Sequence, residues 1–120
     1  MTTAQRILVL PLLVMALFVS LARADDLADA KAVITKQVGQ IKKADVANLK
    51  KGFTARLQDR ITDENVKKAQ KEIGSMTIGD LVASVASGKD SIKIKMKNGR
   101  SLTTLVKVNG KWLADTVWFK

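Results

Sequence analysis

The stretch SIKIKMKNGRSLTTLVKVNGKWLADTVWF, residues 91–119, decides the fold. At its start Ile92, Ile94 and Met96 alternate with Lys93, Lys95 and Lys97. A period of two marks a strand with one dry and one wet side. Asn98-Gly99 and Asn109-Gly110 then interrupt the apolar runs, and Asn-Gly is the dipeptide that tight hairpins favour. Upstream, TIGDLVASVAS (77–87) ends at Ser-Gly-Lys and reads as one more strand. Segments 77–87, 90–97, 101–108 and 111–119 therefore predict an antiparallel meander of four strands.

Loop length sets which side chains share a face. A two-residue turn at Asn98-Gly99 sets Ile94 opposite Thr103 and sends Leu102 to the lysine side. A three-residue loop, Lys97 to Gly99 with a glycine bulge, sets Ile94 opposite Leu102. With a two-residue turn at Asn109-Gly110, the second choice gathers Ile92, Ile94, Met96, Leu102, Val106, Val108, Leu113, Val117 and Phe119 on one face. A slip of one residue inverts a whole strand, so this apolar sorting favours the three-residue loop. Trp112 and Trp118 then fall on the opposite face, with Lys93, Lys95, Lys97, Thr103, Leu105, Ala114 and Thr116. Either a strongly bent sheet buries part of both faces, or the indoles stand half-exposed on a basic surface; bending is the simpler reading.

Before residue 77 the period is helical. Leu27, Ala30, Ile34, Val38 and Ile41 recur at spacings of three and four and form one apolar stripe. Asp25 and Asp26 suit the positive pole of that helix, Lys42 and Lys43 its negative pole. Asp45 suits the N-cap of a second helix with Val46, Leu49, Phe53 and Leu57 inward. Gly52 weakens that helix by about 1 kcal/mol relative to alanine, which implies that something approaches its backbone closely. Thr62 caps a third helix with Asp63 and Glu64 in its first turn, Val66, Ala69 and Ile73 inward, and Gly74 as its stop. The expected fold class is α+β, three N-terminal helices packed on a curved four-stranded antiparallel meander.

Residues 1–24 are expected to be a secretory signal peptide rather than part of the domain. A single Arg precedes the uncharged run ILVLPLLVMALFVSLA, and Ala22-Arg23-Ala24 supplies the small residues of a cleavage site. The run of 16 residues spans roughly 24 Å as a helix, short of the ~30 Å hydrocarbon core, so no stable membrane span is expected. Cleavage after Ala24 leaves a single domain, 25–120. Cysteine is absent although the destination is oxidising, a composition that suits a bacterial periplasmic or secreted domain better than a disulfide-dependent one. Loss of Arg6 and Arg23 lowers the net charge from +10 to +8. A basic surface favours acidic partners, while lysines spread over every element also read as a well-hydrated exterior. Export argues against a genomic nucleic-acid role.

Three short stretches carry a likeness to a known group: Asp45-Val46-Ala47-Asn48-Leu49 after the first helix, Phe53-Thr54 beyond it, and Asn109-Gly110-Lys111-Trp112 between the last strands. With helices followed by a meander, the chain resembles the nuclear transport factor two-like superfamily, which includes ketosteroid isomerases and polyketide-cyclase-like proteins. A cystatin-like helix-on-sheet domain is the nearest alternative. The resemblance implies a curved sheet wrapped around helices, with a cavity that binds a small apolar molecule. It also implies that a homodimer through the sheet is a common arrangement. Enzymatic members place Asp, Tyr or His in the cavity, and this chain has neither histidine nor tyrosine.

The same absences limit the chemistry. Without His or Cys only carboxylates remain for metals, and no spacing resembles a calcium loop, so no metal and no cofactor is expected. No histidine base stands ready for a Ser or Thr nucleophile, and no Gly-rich phosphate loop is present. Two acids fall within the expected strands, Asp80 and Asp115. On the favoured register Asp115 points with Leu113 and Val117 toward the apolar face, where it is the candidate general base. Its competing role is an ion pair with Lys or Arg. Lys93, Lys95 and Lys97 with Trp112 and Trp118 form a candidate anion or polymer platform; the lysines equally serve to discourage edge aggregation. The leading expectation is an exported, non-enzymatic domain that binds a small apolar ligand or a protein through its cavity or sheet face. The alternatives are an isomerase- or cyclase-like enzyme using Asp115, and attachment to an anionic envelope polymer.

Overall fold

A computed structural model describes residues 25–119. The apolar run 7–22 and its cleavage motif lie outside the described residues. Within them the chain is α+β, helices followed by one four-stranded antiparallel sheet in the order β1-β2-β3-β4. Among the described residues no helix is long and apolar enough to cross a membrane.

Helix α1 covers residues 25–42. Ala30, Ile34, Val38 and Ile41 of its stripe are buried, and Leu27 packs at the margin of the core. The helix ends in a Schellman arrangement. Asp45 N–H donates to Gln40 O at 2.9 Å and Ala44 N–H to Ile41 O at 3.0 Å. Ala44 therefore holds φ +55°, a left-handed conformation that costs a residue with a Cβ about 1 kcal/mol. Ala44→Gly is expected to raise stability by about 1 kcal/mol, read as a higher urea midpoint at unchanged slope.

Helix α2, Val46–Lys50, is capped by the Asp45 carboxylate, which accepts from Asn48 N–H and, at 2.8 Å, from its side-chain amide. It is one short turn rather than the longer helix that the spacing of Leu49, Phe53 and Leu57 predicts. All three of those side chains are buried, but the chain turns at Gly52 and continues as a 3-10 helix, Ala55–Arg60. Helix α3, Asp63–Ile73, has the expected Thr62 cap and buries Val66, Ala69 and Ile73. Gly74 ends it in a right-handed conformation, so its lack of a Cβ is not what stops the helix. Gln70 on α3 donates its amide to Ile41 O and Lys42 O, which fastens α3 to the last turn of α1.

The segment 77–87 is only half strand. Ile78–Leu81 forms a short helix, α4, behind a complete capping box in which Thr77 Oγ1 accepts from Asp80 N–H and Asp80 Oδ2 accepts from Thr77 N–H. Asp80 is thus a capping residue and not a strand carboxylate. Those bonds to Thr77, backbone first, hold its carboxyl below the ordinary value of 3.8, with the Lys97 charge adding to them. Because the folded form binds the proton more weakly, this contribution is fully present above the unfolded value and fades as pH falls through the folded one. Thr77→Ala removes the hydroxyl's share but keeps the larger backbone bond, so the Asp80 carboxyl is expected to move part of the way back toward 3.8 and to stay below it, observable in a side-chain NMR titration.

Strands β1 (Ser84–Gly88), β2 (Ser91–Lys95), β3 (Ser101–Val108) and β4 (Lys111–Ala114) complete the fold. The expected loop at Lys97–Gly99 is present. Met96 N–H donates to Arg100 O at 2.8 Å, Gly99 N–H donates to Met96 O at 3.0 Å, and Gly99 holds φ +86°. Asn109 and Gly110 both have positive φ, and Val108 opposes Lys111, so the second hairpin is the expected two-residue turn. One further feature separates the strands from the expected register. Lys95 opposes Ser101 but Ile94 opposes Thr103, so Leu102 is the extra residue of a bulge.

That bulge inverts the faces of β3 and β4 beyond it. Leu102 and Thr103 are both buried, and Thr103 satisfies its hydroxyl by accepting from Thr116 Oγ1 at 2.7 Å. Ile92 opposes Leu105, which opposes Ala114, and all three are buried on the helix side. Lys107 and Trp112 follow on that same side. Val106, Val108 and Leu113, expected inside, instead share the outer side with Lys93 and Lys95, and Val108 is 42% exposed. Ile92, Ile94, Leu102, Val117 and Phe119 of the expected apolar face do lie in the core, so that face is kept only in part.

Candidate functional site

The C-terminal segment beyond β4 closes the core. Phe53 and Phe119 meet edge to face at 5.7 Å between centroids, and Phe119 meets Trp118 in the same way at 5.5 Å. The Trp118 indole N–H donates to Gln37 Oε1 at 2.7 Å. Gln37 is only 2% exposed, and its Nε2 donates to Gly52 O at 3.0 Å. Both ends of one buried amide are therefore used, tying α1 to the turn after α2 and to the last aromatic pair. A Cβ on Gly52 would stand 2.8 Å from Gln37 Nε2, which is the close approach its glycine implied.

Gly52 also anchors the free edge of β4. Ala114 N–H donates to Gly52 O at 2.8 Å, and Thr54 N–H donates to Ala114 O at 3.0 Å, beside a parallel bridge from Phe53 to Ala114. The pairing stops there. Residues 111–113 of the same edge instead border a cleft of about 640 Å³. Helix α1 contributes Val33, Lys36, Gln37 and Gln40 to its wall, the α2 turn contributes Asn48, Lys51 and Gly52, and β4 contributes Lys111, Trp112 and Leu113. The volume lies within the usual range for small-molecule sites. A second depression, about 490 Å³, has walls from α3 alone and lies open along the outside of that helix.

The Trp112 indole is half-buried at the cleft, with Lys107 Nζ 5.3 Å from its ring centroid. That cation–π contact helps fix the ring. Strand geometry adds two main-chain groups. On β4 the amide and carbonyl of Ala114 point away from β3 toward Gly52 and Thr54. Alternation sends those of Trp112 to the same side, where the cleft lies.

The structure does not bring the five expected ligand-binding residues together. Lys93 and Lys95 project from the outer face of β2, alternating with the inward residues Ile92 and Ile94. Lys97 sits in the β2–β3 loop, its N–H donating to Asp80 O at 2.9 Å. Trp112 and Trp118 lie on the other side of the sheet, both packed against the core. The shared Lys/Trp face is corrected by the bulge at Leu102, which moved the tryptophan side of β4 inward.

Asp115 also differs from its expected setting. Strand β4 ends at Ala114, and Asp115 follows at a bend, its N–H donating to Thr104 O at 2.9 Å. Its Oδ1 accepts from Thr54 Oγ1 at 3.0 Å and pairs with Arg56 Nη2 at 3.1 Å, while the same guanidinium nitrogen donates to Asp115 O at 2.7 Å. The side chain is 37% exposed and does not line the cleft. The carboxylate points to Arg56 and Thr54, tying β4 to the 3-10 helix, instead of into an apolar pocket.

Sequence reasoning passed over Gln37, Lys36, Lys51 and Lys111 as site residues. Gln37 carried a usable signal, since it lies three residues from Ile34 and four from Ile41, on the apolar stripe itself. Among the described residues no cluster of three His, Cys, Asp or Glu could hold a metal ion. Compared with known proteins, the chain matches no family model, no curated protein and no solved structure.

Proposed function

We propose that this is a small exported domain that binds a small molecule in the cleft between α1 and the edge of β4, without covalent chemistry. The observation that carries the reading is the construction of that cleft. Its floor is the Gln37–Gly52 contact, its wall is Trp112, and strand pairing that elsewhere closes the β4 edge stops beside it. No Asp or Glu lines it, and Asp115, the candidate base, lies outside it with its carboxylate on Arg56 and Thr54. That favours binding over an isomerase- or cyclase-like activity at Asp115.

Helices followed by a meander are in keeping with the likeness to nuclear transport factor two-like domains, and the proposal includes that kinship and a curved sheet. Export rests on the apolar run 7–22 and on Ala22-Arg23-Ala24. The test is a chemical-shift map recorded during a screen of small aromatic compounds. Binders are expected to shift the Gly52, Lys111 and Trp112 amides together with the Trp112 indole N–H. Shifts confined to the outer sheet face around Lys93 and Val106, or none from any compound, would overturn the reading.

A further inference from the structure

We infer that the ligand of this cleft is an organic anion, a flat apolar body carrying a carboxylate, sulfonate or phosphate. The inference rests on the cleft being the binding site. Three separate elements each bring one lysine to the cleft, Lys36 from α1, Lys51 from just past the end of α2, and Lys111 at the start of β4, at the cleft's outer rim on the Val108 side of the sheet. No acidic side chain lines the same space. Among the described residues the ion pairs are Arg56–Asp115 and Glu64–Lys68, so none of the three is neutralised by a neighbour.

Like charges gathered around one concave surface raise the local potential, and an anion entering it relieves their mutual repulsion. The lysines of α3 differ. Lys67, Lys68 and Lys71 sit on one open helix surface, where Glu64 shares the depression and pairs with Lys68 at 3.9 Å. The remaining cleft groups complement the rest of such a ligand. Trp112 offers an apolar flat surface, the side-chain amides of Gln40 and Asn48 offer donors, and the outward Trp112 N–H is a main-chain donor at the edge of β4.

The experiment compares two dyes that share a ring system. One is 1-anilinonaphthalene-8-sulfonate and the other is N-phenyl-1-naphthylamine, which lacks the sulfonate. Each is titrated against the folded protein, against the triple variant Lys36→Gln, Lys51→Gln, Lys111→Gln, and against Lys67→Gln, Lys68→Gln, Lys71→Gln. Both variants lose the same charge from exposed positions, so a general effect of net charge cancels. The sulfonate is expected to bind at least about tenfold tighter than the neutral dye. That preference should disappear in the cleft variant, persist in the α3 variant, and shrink with added salt. Equal binding of the two dyes at the Trp112 cleft overturns the anion inference and leaves the binding cleft standing. A sulfonate preference that survives in the cleft variant overturns it too. If neither dye perturbs the Trp112 indole N–H, the cleft reading fails and takes this inference with it.

Discussion

Phe53→Ala is expected to cost about 3–5 kcal/mol, the range for deleting a fully buried aromatic ring. A domain of this size has only about 5–15 kcal/mol to lose. Phe53 is fully buried and touches Phe119 edge to face, and Phe119 in turn carries Trp118. Its main chain also forms the bridge that closes the β4 edge at Ala114. Truncation therefore loses the transferred area, leaves a cavity too enclosed to collapse, and removes the support of the ring that orients Trp118. Urea unfolding followed by tryptophan emission should show both effects, a large drop in midpoint and a red-shifted native baseline. Phe53→Leu keeps most of the volume and should lose less, about 1–2 kcal/mol. If Phe53→Ala leaves the midpoint in place, the aromatic chain Phe53–Phe119–Trp118 does not pin the core.

How far the fold was legible follows from what each signal reports. Alternation in Ile92 to Lys97 and the two Asn-Gly steps report local geometry, and local geometry is what the hairpins obeyed. Stripes at helical spacing placed Ile34, Val38, Ile41, Val66, Ala69 and Ile73 inside for the same reason. The bulge at Leu102 is different. Both registers satisfy the pattern locally, and the choice depends on which side chains fill the space under the helices. Burying Leu105, Ala114 and part of Trp112 won over burying Val106, Val108 and Leu113, and a sorting by hydrophobicity alone prefers the reverse. Trp112 accordingly lies on the side of Leu105 and Ala114 and not with the β2 lysines.

The capping box at Thr77 and Asp80 was present in the letters as Thr-Ile-Gly-Asp, but β-like residues on both sides outweighed it. Asp115 was placed by continuing strand alternation past Ala114, where the strand had ended. The cleft had no linear signature, because its three lysines are 15 and 60 residues apart along the chain, as Lys36, Lys51 and Lys111. Only Trp112 was common to the expected site and the observed cleft.

The contact between Gln37 and Gly52 supports the second large prediction. Gln37→Leu fills the same space with an apolar group but leaves the half-buried Trp118 N–H without its acceptor, and Gly52 O keeps only the bond from Ala114. Stranding those groups should cost about 2–3 kcal/mol. Gly52→Ala attacks the same contact from the other side, since the new Cβ would sit 2.8 Å from Gln37 Nε2 and 3.4 Å from Leu49 O. The amide cannot swing away without breaking its bonds to Gly52 O and the Trp118 indole, so overpacking should cost about 1–3 kcal/mol. The two changes should not add. In a Gln37→Ala background the obstructing amide is gone, and adding Gly52→Ala should cost about 1 kcal/mol less than it does alone. A complete double-mutant cycle by urea unfolding measures that coupling. Strict additivity would mean that helix α1 and the turn after α2 are not joined through this amide, and the floor of the cleft would then have no fixed geometry to offer a ligand.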